Sequence, residues 1–206
     1  MHLSLNPPKK PTGNRQHGAM EFTEAPVDLD NLRHYRLNRF RQEMSKHDVA
    51  GLLLFNQINS RYATDATNMQ IWCSHYETRC VFVSLEGPVV LFDYANHPHL
   101  TEDLTTIDDY RVLPAFYFFG AGNRGDEFVR EFASQISDLM NCHGGENKRL
   151  AIDTLSHKGC DALRAHGLQL VEGEQITETA RAIKSHFGSV VKGSVTRFQM
   201  DNLLAL

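Results

Sequence analysis

In the first half of the chain, a segment whose apolar residues have helical spacing is followed by one continuous run of hydrophobic residues. Residues 49–55 are apolar apart from one glycine, and a short run without alternation is typical of a strand buried on both faces. Between residues 30 and 47, large apolar side chains recur at roughly helical intervals, and residues 28–31 supply N-cap candidates. We therefore predict a helix near 30–47, a buried strand, and a short helix at 59–64.

Two β-rich runs follow, and a tight connection joins them. Residues 79–84 and 89–93 are rich in valine and phenylalanine, and Glu-Gly-Pro lies between them. A short turn of this kind between β-rich runs predicts a hairpin. The pattern also predicts a weak helix at 95–104 and a short strand at 110–113.

The second half alternates between helical and strand patterns. Residues 127–140 have helical apolar spacing and end before His-Gly-Gly, where glycine suits a left-handed C-terminal cap. The following elements are predicted as a strand at 150–153, a helix at 156–166, a strand at 168–171 and a helix at 174–184. Such alternation predicts an α/β layered domain with a mixed central sheet.

The two ends of the chain differ from this middle part. Residues 1–27 are rich in proline, lysine and asparagine, a composition that predicts a flexible arm. Residues 28–184 carry the α/β pattern and form the predicted domain. Residues 185–206 do not continue it, and we interpret them as a divergent tail.

Composition and charge exclude several classes of partner. The chain has 206 residues and a formal net charge of −4, so it offers no basic excess for nucleic acid or an anionic membrane. No apolar run approaches the ~20 residues that span a bilayer, and the N-terminus has no secretory pattern. Four cysteines without a CxxC pair indicate reduced, buried thiols. We therefore expect a cytoplasmic protein that binds neither nucleic acid nor membrane.

The sequence contains weak signals for nucleotide, metal and nucleophile sites. Residues 120–125 formally fit GxGxxG, but they follow an aromatic run inside the predicted loop 115–125 and lack the strand context that a phosphate cradle needs. His97 and His99, like Cys73 and His75, have no convergent third and fourth ligands. Ser156 is better explained as a helix N-cap than as a nucleophile. We therefore assign no catalytic and no metal-binding residue.

The most unusual segment is residues 59–72, which carries several polar groups and the only tryptophan of the chain. It lies between two predicted strands, where loops often carry function. The π-face of Trp72 suits a cationic or sulfonium group. The alternative is that Trp72 simply caps the hydrophobic core.

This segment resembles a known family. Asn-x-Arg-Tyr-Ala-Thr at 59–64 is similar to the creatinase/prolidase (M24, "pita-bread") N-terminal domain. The longer run Arg-Tyr-Ala-Thr-Asp-Ala-Thr-Asn-Met-Gln-x-Trp at 61–72 is more narrowly similar to the dimethylsulfoniopropionate (DMSP) lyases of that superfamily. Weaker similar pieces lie at 35–39, 143–145, 149–153 and 173–178. The resemblance implies a three-layer, ribonuclease H-like domain.

The resemblance also implies a division of labour. In the family, the N-terminal domain supports dimerisation and covers the partner's substrate, while a C-terminal domain holds divalent metal ions. It implies that Trp72 faces substrate in trans, with Arg79 and Tyr62 as further candidates; the ordinary role of Arg79 is pairing with a surface carboxylate. The expected partners are the missing catalytic domain or a second copy of the chain, with small-molecule substrate only in the complete enzyme.

Three functions remain open at this point. The first is the N-terminal domain of a DMSP lyase, which forms acrylate and dimethyl sulfide; without the C-terminal ligands we expect a truncated chain that has no turnover and no cofactor of its own. The second is the same domain of an Xaa-Pro aminopeptidase or prolidase. The third is a non-enzymatic protein-interaction module. Fold kinship alone does not decide among them.

Overall fold

The computed structural model describes residues 28–67 and 70–182, with the backbone alone for residues 70–72. The predicted arm at 1–27 and the predicted tail at 185–206 lie outside these residues. Within the described part of the chain, no helix combines the length and the apolar character needed to cross a membrane.

One layer of helices covers the first face of the sheet. It consists of α1 (Leu29–Lys46), α2 (Gln57–Thr64) and α7 (Glu174–Ala182), and α1 packs on both of the others. Helix α1 begins after Asp28, whose carboxylate accepts a hydrogen bond from the Asn31 amide at 3.0 Å. Such a bond satisfies one of the free N–H groups of the first turn.

The second layer is a mixed sheet in the order β4-β3-β2-β1-β5-β6. Five of the strands run parallel to one another, and β2 runs against its neighbours β1 and β3. The strands are β1 (Gly51–Leu54), β2 (Cys80–Ser84), β3 (Val89–Asp93), β4 (Asp109–Val112), β5 (Arg149–Ile152) and β6 (Gln169–Glu172).

The third layer covers the opposite face with α5 (Gly125–His143) and α6 (His157–Ala165). Alternate strand residues point to the two layers, as the period of a strand requires. Leu53 and Phe82 pack towards α5, whereas Leu52 and Val83 pack towards α1. The central strands are therefore apolar on both faces, and the predicted three-layer α/β architecture with a mixed sheet is confirmed.

Three local predictions need correction. The weak helix expected at 95–104 is only a 3₁₀ turn at Pro98–Leu100. The expected loop 115–125 contains a short helix, α4 (Phe118–Ala121), and a 3₁₀ turn at Gly122–Arg124. A further helix, α3 (Gln70–His75), was not predicted. All three are shorter than two helical turns, too short for hydrophobic periodicity to mark them.

The glycine pair after α5 ends this helix as predicted, with one difference. Gly144 is the cap residue with φ of −91°, and it is Gly145 that adopts the left-handed conformation, with φ of +60°. A Cβ atom at that φ would be strained, so the second glycine makes the turn possible.

Candidate functional site

The polar groups of the domain collect at one edge of the sheet. Because β2 runs opposite to the other five strands, its first residues lie where the others end. Asp93 ends β3, Asp153 follows β5, and Arg79 precedes β2. The carboxyl edge of parallel strands is the usual location of sites in α/β proteins, so this edge is the candidate functional site.

Arg79 and Asp93 form a buried ion pair at the centre of this edge. The Arg79 Nε donates to Asp93 Oδ2 at 2.9 Å, and Nη2 donates to the same oxygen. The side chains are 1% and 0% exposed. We expected a carboxylate partner for Arg79, but at the surface. The pair is in the interior because β2 and β3 are covered on both faces.

Three more groups surround Asp93. Its Oδ1 accepts from the Tyr94 amide at 2.8 Å and lies 3.5 Å from His97 Nδ1. The Tyr110 hydroxyl donates to the Tyr94 carbonyl. Burial, reinforced by the Asp93 charge, raises the pKa of Tyr110 to about 12. The phenol therefore stays protonated and acts as a donor at neutral pH.

Tyr62 and Trp72 belong to the unusual segment and occupy different places. Tyr62 lies on α2, half-buried, and its hydroxyl donates to the Ala180 carbonyl at 3.1 Å. Its ring meets Phe40 edge to face, with centroids 5.1 Å apart. Trp72 lies on α3, near the carboxyl edge, and its side chain is outside the described atoms. That Trp72, Arg79 and Tyr62 face substrate stays a prediction.

Asp153 forms a second polar centre at the edge. Its carboxylate accepts from the Phe55 amide at 2.8 Å, the Asn56 amide at 3.1 Å and Asn59 Nδ2 at 2.9 Å. Burial raises the pKa of Asp153, while these donors oppose the shift. The carboxylate thus holds the start of α2 against β5, which is a structural task.

An aromatic surface lies beside the edge and consists of Tyr76, Tyr117, Phe118 and Phe119. The Tyr76 ring centroid is 5.0 Å from Tyr117 and 6.4 Å from Phe119. Phe118 and Phe119 are 82% and 73% exposed. Exposed aromatic residues in a cluster mark contact surfaces more often than isolated ones do.

Two clefts open next to this aromatic surface and share Glu77. One is about 150 Å³ and includes Cys73, His75 and Thr154; the other is about 320 Å³ and includes Ser156 and Lys158. Glu77 accepts a hydrogen bond from the Ser156 amide at 3.1 Å. That bond places Ser156 at the start of α6, as predicted, although its own hydroxyl makes no capping bond.

The described residues do not offer a metal centre. Within 28–67 and 70–182, no three or more His, Cys, Asp or Glu side chains are placed to share an ion. His97 lies beside Asp93, and Cys73 and His75 lie on α3. A divalent metal of the kind that the resemblance implies does not fit these residues.

The four cysteines are free thiols in different surroundings. Cys73 and Cys80 are buried, Cys160 is partly buried and Cys142 is exposed. Burial raises the pKa of the Cys73 and Cys160 thiols, and raises that of Cys80 well above its usual range. The expectation of buried thiols therefore holds for two positions and is wrong for Cys142.

The fold and the site define a three-layer α/β domain in which the Asp93 and Asp153 carboxylates at the carboxyl edge are bound by other groups of the same domain. The creatinase/prolidase N-terminal domain model matches residues 36–183, so the chain belongs to this family. More particularly, it is 38% identical over 157 residues to the dimethylsulfoniopropionate lyase DddP of Roseovarius nubinhibens, covering 76% of this chain and 35% of that protein. The lyase of the same name from Roseobacter denitrificans is 34% identical over 175 residues, covering 84% and 39%.

The fold comparison agrees with the family. The structure of an Xaa-Pro aminopeptidase from Streptococcus pyogenes superposes with a TM-score of 0.53 at 16% identity, covering 73% of this chain and 98% of that one. At this identity the likeness concerns the fold alone. The chain spans between a third and two fifths of the length of the two lyases.

Sequence reasoning missed Asp93, Asp153 and the aromatic surface as parts of the site. A signal for the two carboxylates was present, because each one closes an apolar strand pattern at the edge where parallel strands end. The aromatic run at 116–119 signalled part of the aromatic surface, but not its contact with Tyr76, which is 41 positions before Tyr117 and meets it only in the fold.

Proposed function

We propose that this chain is the substrate-covering and dimerisation domain of a metalloenzyme of the DMSP lyase type, which converts DMSP to acrylate and dimethyl sulfide. The observation that carries the proposal is the 38% identity to the Roseovarius lyase over 157 residues. The Streptococcus pyogenes aminopeptidase is 16% identical to this chain, and this similarity supports the fold alone. The similarity therefore favours the lyase over an Xaa-Pro hydrolase.

The proposed role of the domain is to help bind the substrate, not to break its bonds. Its described residues do not gather ligands for a metal, and the carboxylates at its edge are taken up by internal partners. We therefore assign proton abstraction and C–S cleavage to residues outside this domain, and no step through a metal to this chain.

In the complete enzyme, the proposed contact with substrate is Trp72. A sulfonium is a cation with methyl groups, and the face of an indole attracts such a cation by about 0.5–2 kcal/mol. Tyr62 lies on α2, which precedes α3 in the chain, and Arg79 lies directly before β2, which follows it. We propose that they support this contact from within the domain.

The aromatic surface is the proposed meeting point with a second copy of the protein. Tyr76 follows directly after α3, the helix that contains Trp72, so a partner bound at Tyr76 would also lie close to that helix. A module that acts only through protein contact would use the same surface, but it would not depend on Trp72.

The proposal is tested by a domain exchange. Residues 28–182 replace the matching region of the Roseovarius lyase, and dimethyl sulfide release is measured by gas chromatography. The N-terminal domain of the Streptococcus aminopeptidase, placed at the same junctions, is the control. We expect release from the first chimera and none from the second, because only the first retains the lyase-like segment.

Two outcomes would contradict the proposal. One is a folded first chimera, shown by circular dichroism and gel filtration, that releases no dimethyl sulfide. The other is equal release from both chimeras, which would mean that any domain of this fold is sufficient.

A further inference from the structure

The tryptophan segment, residues 65–73, is held on both sides of Trp72 by Thr78 and Arg79, the two residues directly before β2. Arg79 Nη2 donates to the Thr67 carbonyl at 3.4 Å, and the Thr78 hydroxyl donates to Cys73 Sγ at 3.2 Å. Thr67 precedes Trp72 by five positions, and Cys73 follows it directly. Thr67 and Cys73, on the two sides of Trp72, are thus both held by residues that directly precede β2.

The residue that holds Thr67 is itself fixed by the sheet. The pairing of Cys80 with Phe92 in the β2–β3 ladder places Arg79 next to Asp93. Asp93 accepts from Arg79 Nε at 2.9 Å and from the Tyr94 amide at 2.8 Å. A guanidinium has several donors in a rigid fork, so it can bind a carboxylate and a carbonyl at once, which a lysine ammonium on a flexible stem does less well.

A further contact fixes the start of the same segment. The Thr106 hydroxyl donates to the Thr64 carbonyl at 3.1 Å, and the Ala66 amide donates to Thr64 Oγ1 at 3.2 Å. Both oxygens belong to the last residue of α2. The segment therefore leaves α2 in one direction. Arg33 Nε then donates to Asp65 Oδ2 at 3.0 Å, and Arg79 holds the Thr67 carbonyl two residues further on.

We infer that Arg79 is a positioning residue that sets the tryptophan segment through the Thr67 carbonyl. The side chain is 1% exposed, and its Nε and Nη2 atoms donate to Asp93 and to the Thr67 carbonyl. Asp93 serves to orient Arg79. The inference rests on the proposed function for its importance, but it concerns the chain alone and can be tested without the lyase reaction.

The test uses Trp72, which is the only tryptophan and therefore a specific fluorophore. Two variants remove the Thr67 contact in different ways: Arg79→Lys keeps a positive charge opposite Asp93, and Arg79→Met with Asp93→Asn leaves a neutral pair. Loss of a hydrogen bond from a charged donor shifts the balance between the held and released segment by about tenfold or more. We expect altered Trp72 emission, stronger acrylamide quenching, and about tenfold faster amide exchange in peptides spanning 64–73.

Arg41→Lys is the matched control. Arg41 also donates to backbone carbonyls, to Ser84 at 3.2 Å and to Gly87 at 2.7 Å, but at the opposite end of β2. We expect this variant to leave Trp72 emission and quenching as in the parent chain. If both Arg79 variants fold and keep the parental Trp72 signal, or if Arg41→Lys changes it equally, Arg79 has no positioning role.

Discussion

Replacing Arg79 with methionine is expected to lower the free energy of unfolding by about 3–5 kcal/mol, because the change removes the guanidinium partner of the buried Asp93 carboxylate. Asp93 is fully buried and close to Tyr94 and His97, neither of which replaces a guanidinium. Urea unfolding followed by circular dichroism measures the effect. The midpoint should fall while the slope of the transition remains that of the parent chain.

A double-mutant cycle that adds Asp93→Asn separates the effect of the buried charge on stability from the effect of packing. In the double variant Arg79→Met with Asp93→Asn, no charge is buried, and the asparagine oxygen can still accept from the Tyr94 amide. We expect it to recover more than half of the lost stability. If the double variant is as unstable as Arg79→Met alone, the loss arises from packing around the methionine and not from a carboxylate that has lost its guanidinium.

The Phe132→Ala substitution is expected to cost about 3–5 kcal/mol, the usual range for truncating a buried phenylalanine. The Phe132 ring is fully buried on α5. Its centroid lies 5.8 Å from that of Phe55, 6.1 Å from Phe92 and 5.2 Å from Phe116. The alanine variant would leave a cavity between α5 and the sheet, and thermal unfolding should report the loss.

Phe118→Ala is the control for that substitution. Phe118 is 82% exposed, so its removal should change stability by no more than about 0.5 kcal/mol in the isolated chain. Similar losses for the two variants would contradict the assignment of Phe132 to the core and of Phe118 to a free surface.

Much of the fold could be predicted because its first three strands are apolar along nearly their whole length. The runs that form β1, β2 and β3 are buried at every position, so an unbroken apolar pattern reports them directly. The long helices α1 and α5 were also predicted, with boundaries within one residue for α1 and within three for α5. Helices α3 and α4 were not predicted because they have six and four residues, fewer than a helical hydrophobic pattern requires.

The candidate site was predictable only in part. Counting back from the predicted turn at 85–88 pairs Cys80 with Asp93, whereas the observed register, with Val83 opposite Val89, is shifted by one residue and brings Arg79 to Asp93. The burial of the pair could not be read from the hairpin, because it depends on α5 and α1 covering the sheet from both sides. Contacts such as Tyr76 with Tyr117 depend on the fold in the same way.

The most direct test of the account is the effect of Trp72→Ala on kcat/KM for dimethyl sulfide release by the domain-exchange chimera. Removing a cation–π contact worth about 0.5–2 kcal/mol should lower kcat/KM by about 2- to 30-fold. Trp72→Phe, which keeps an aromatic face, should restore most of the activity. An alanine variant as active as its parent would contradict the proposal that this domain provides an aromatic contact to the substrate.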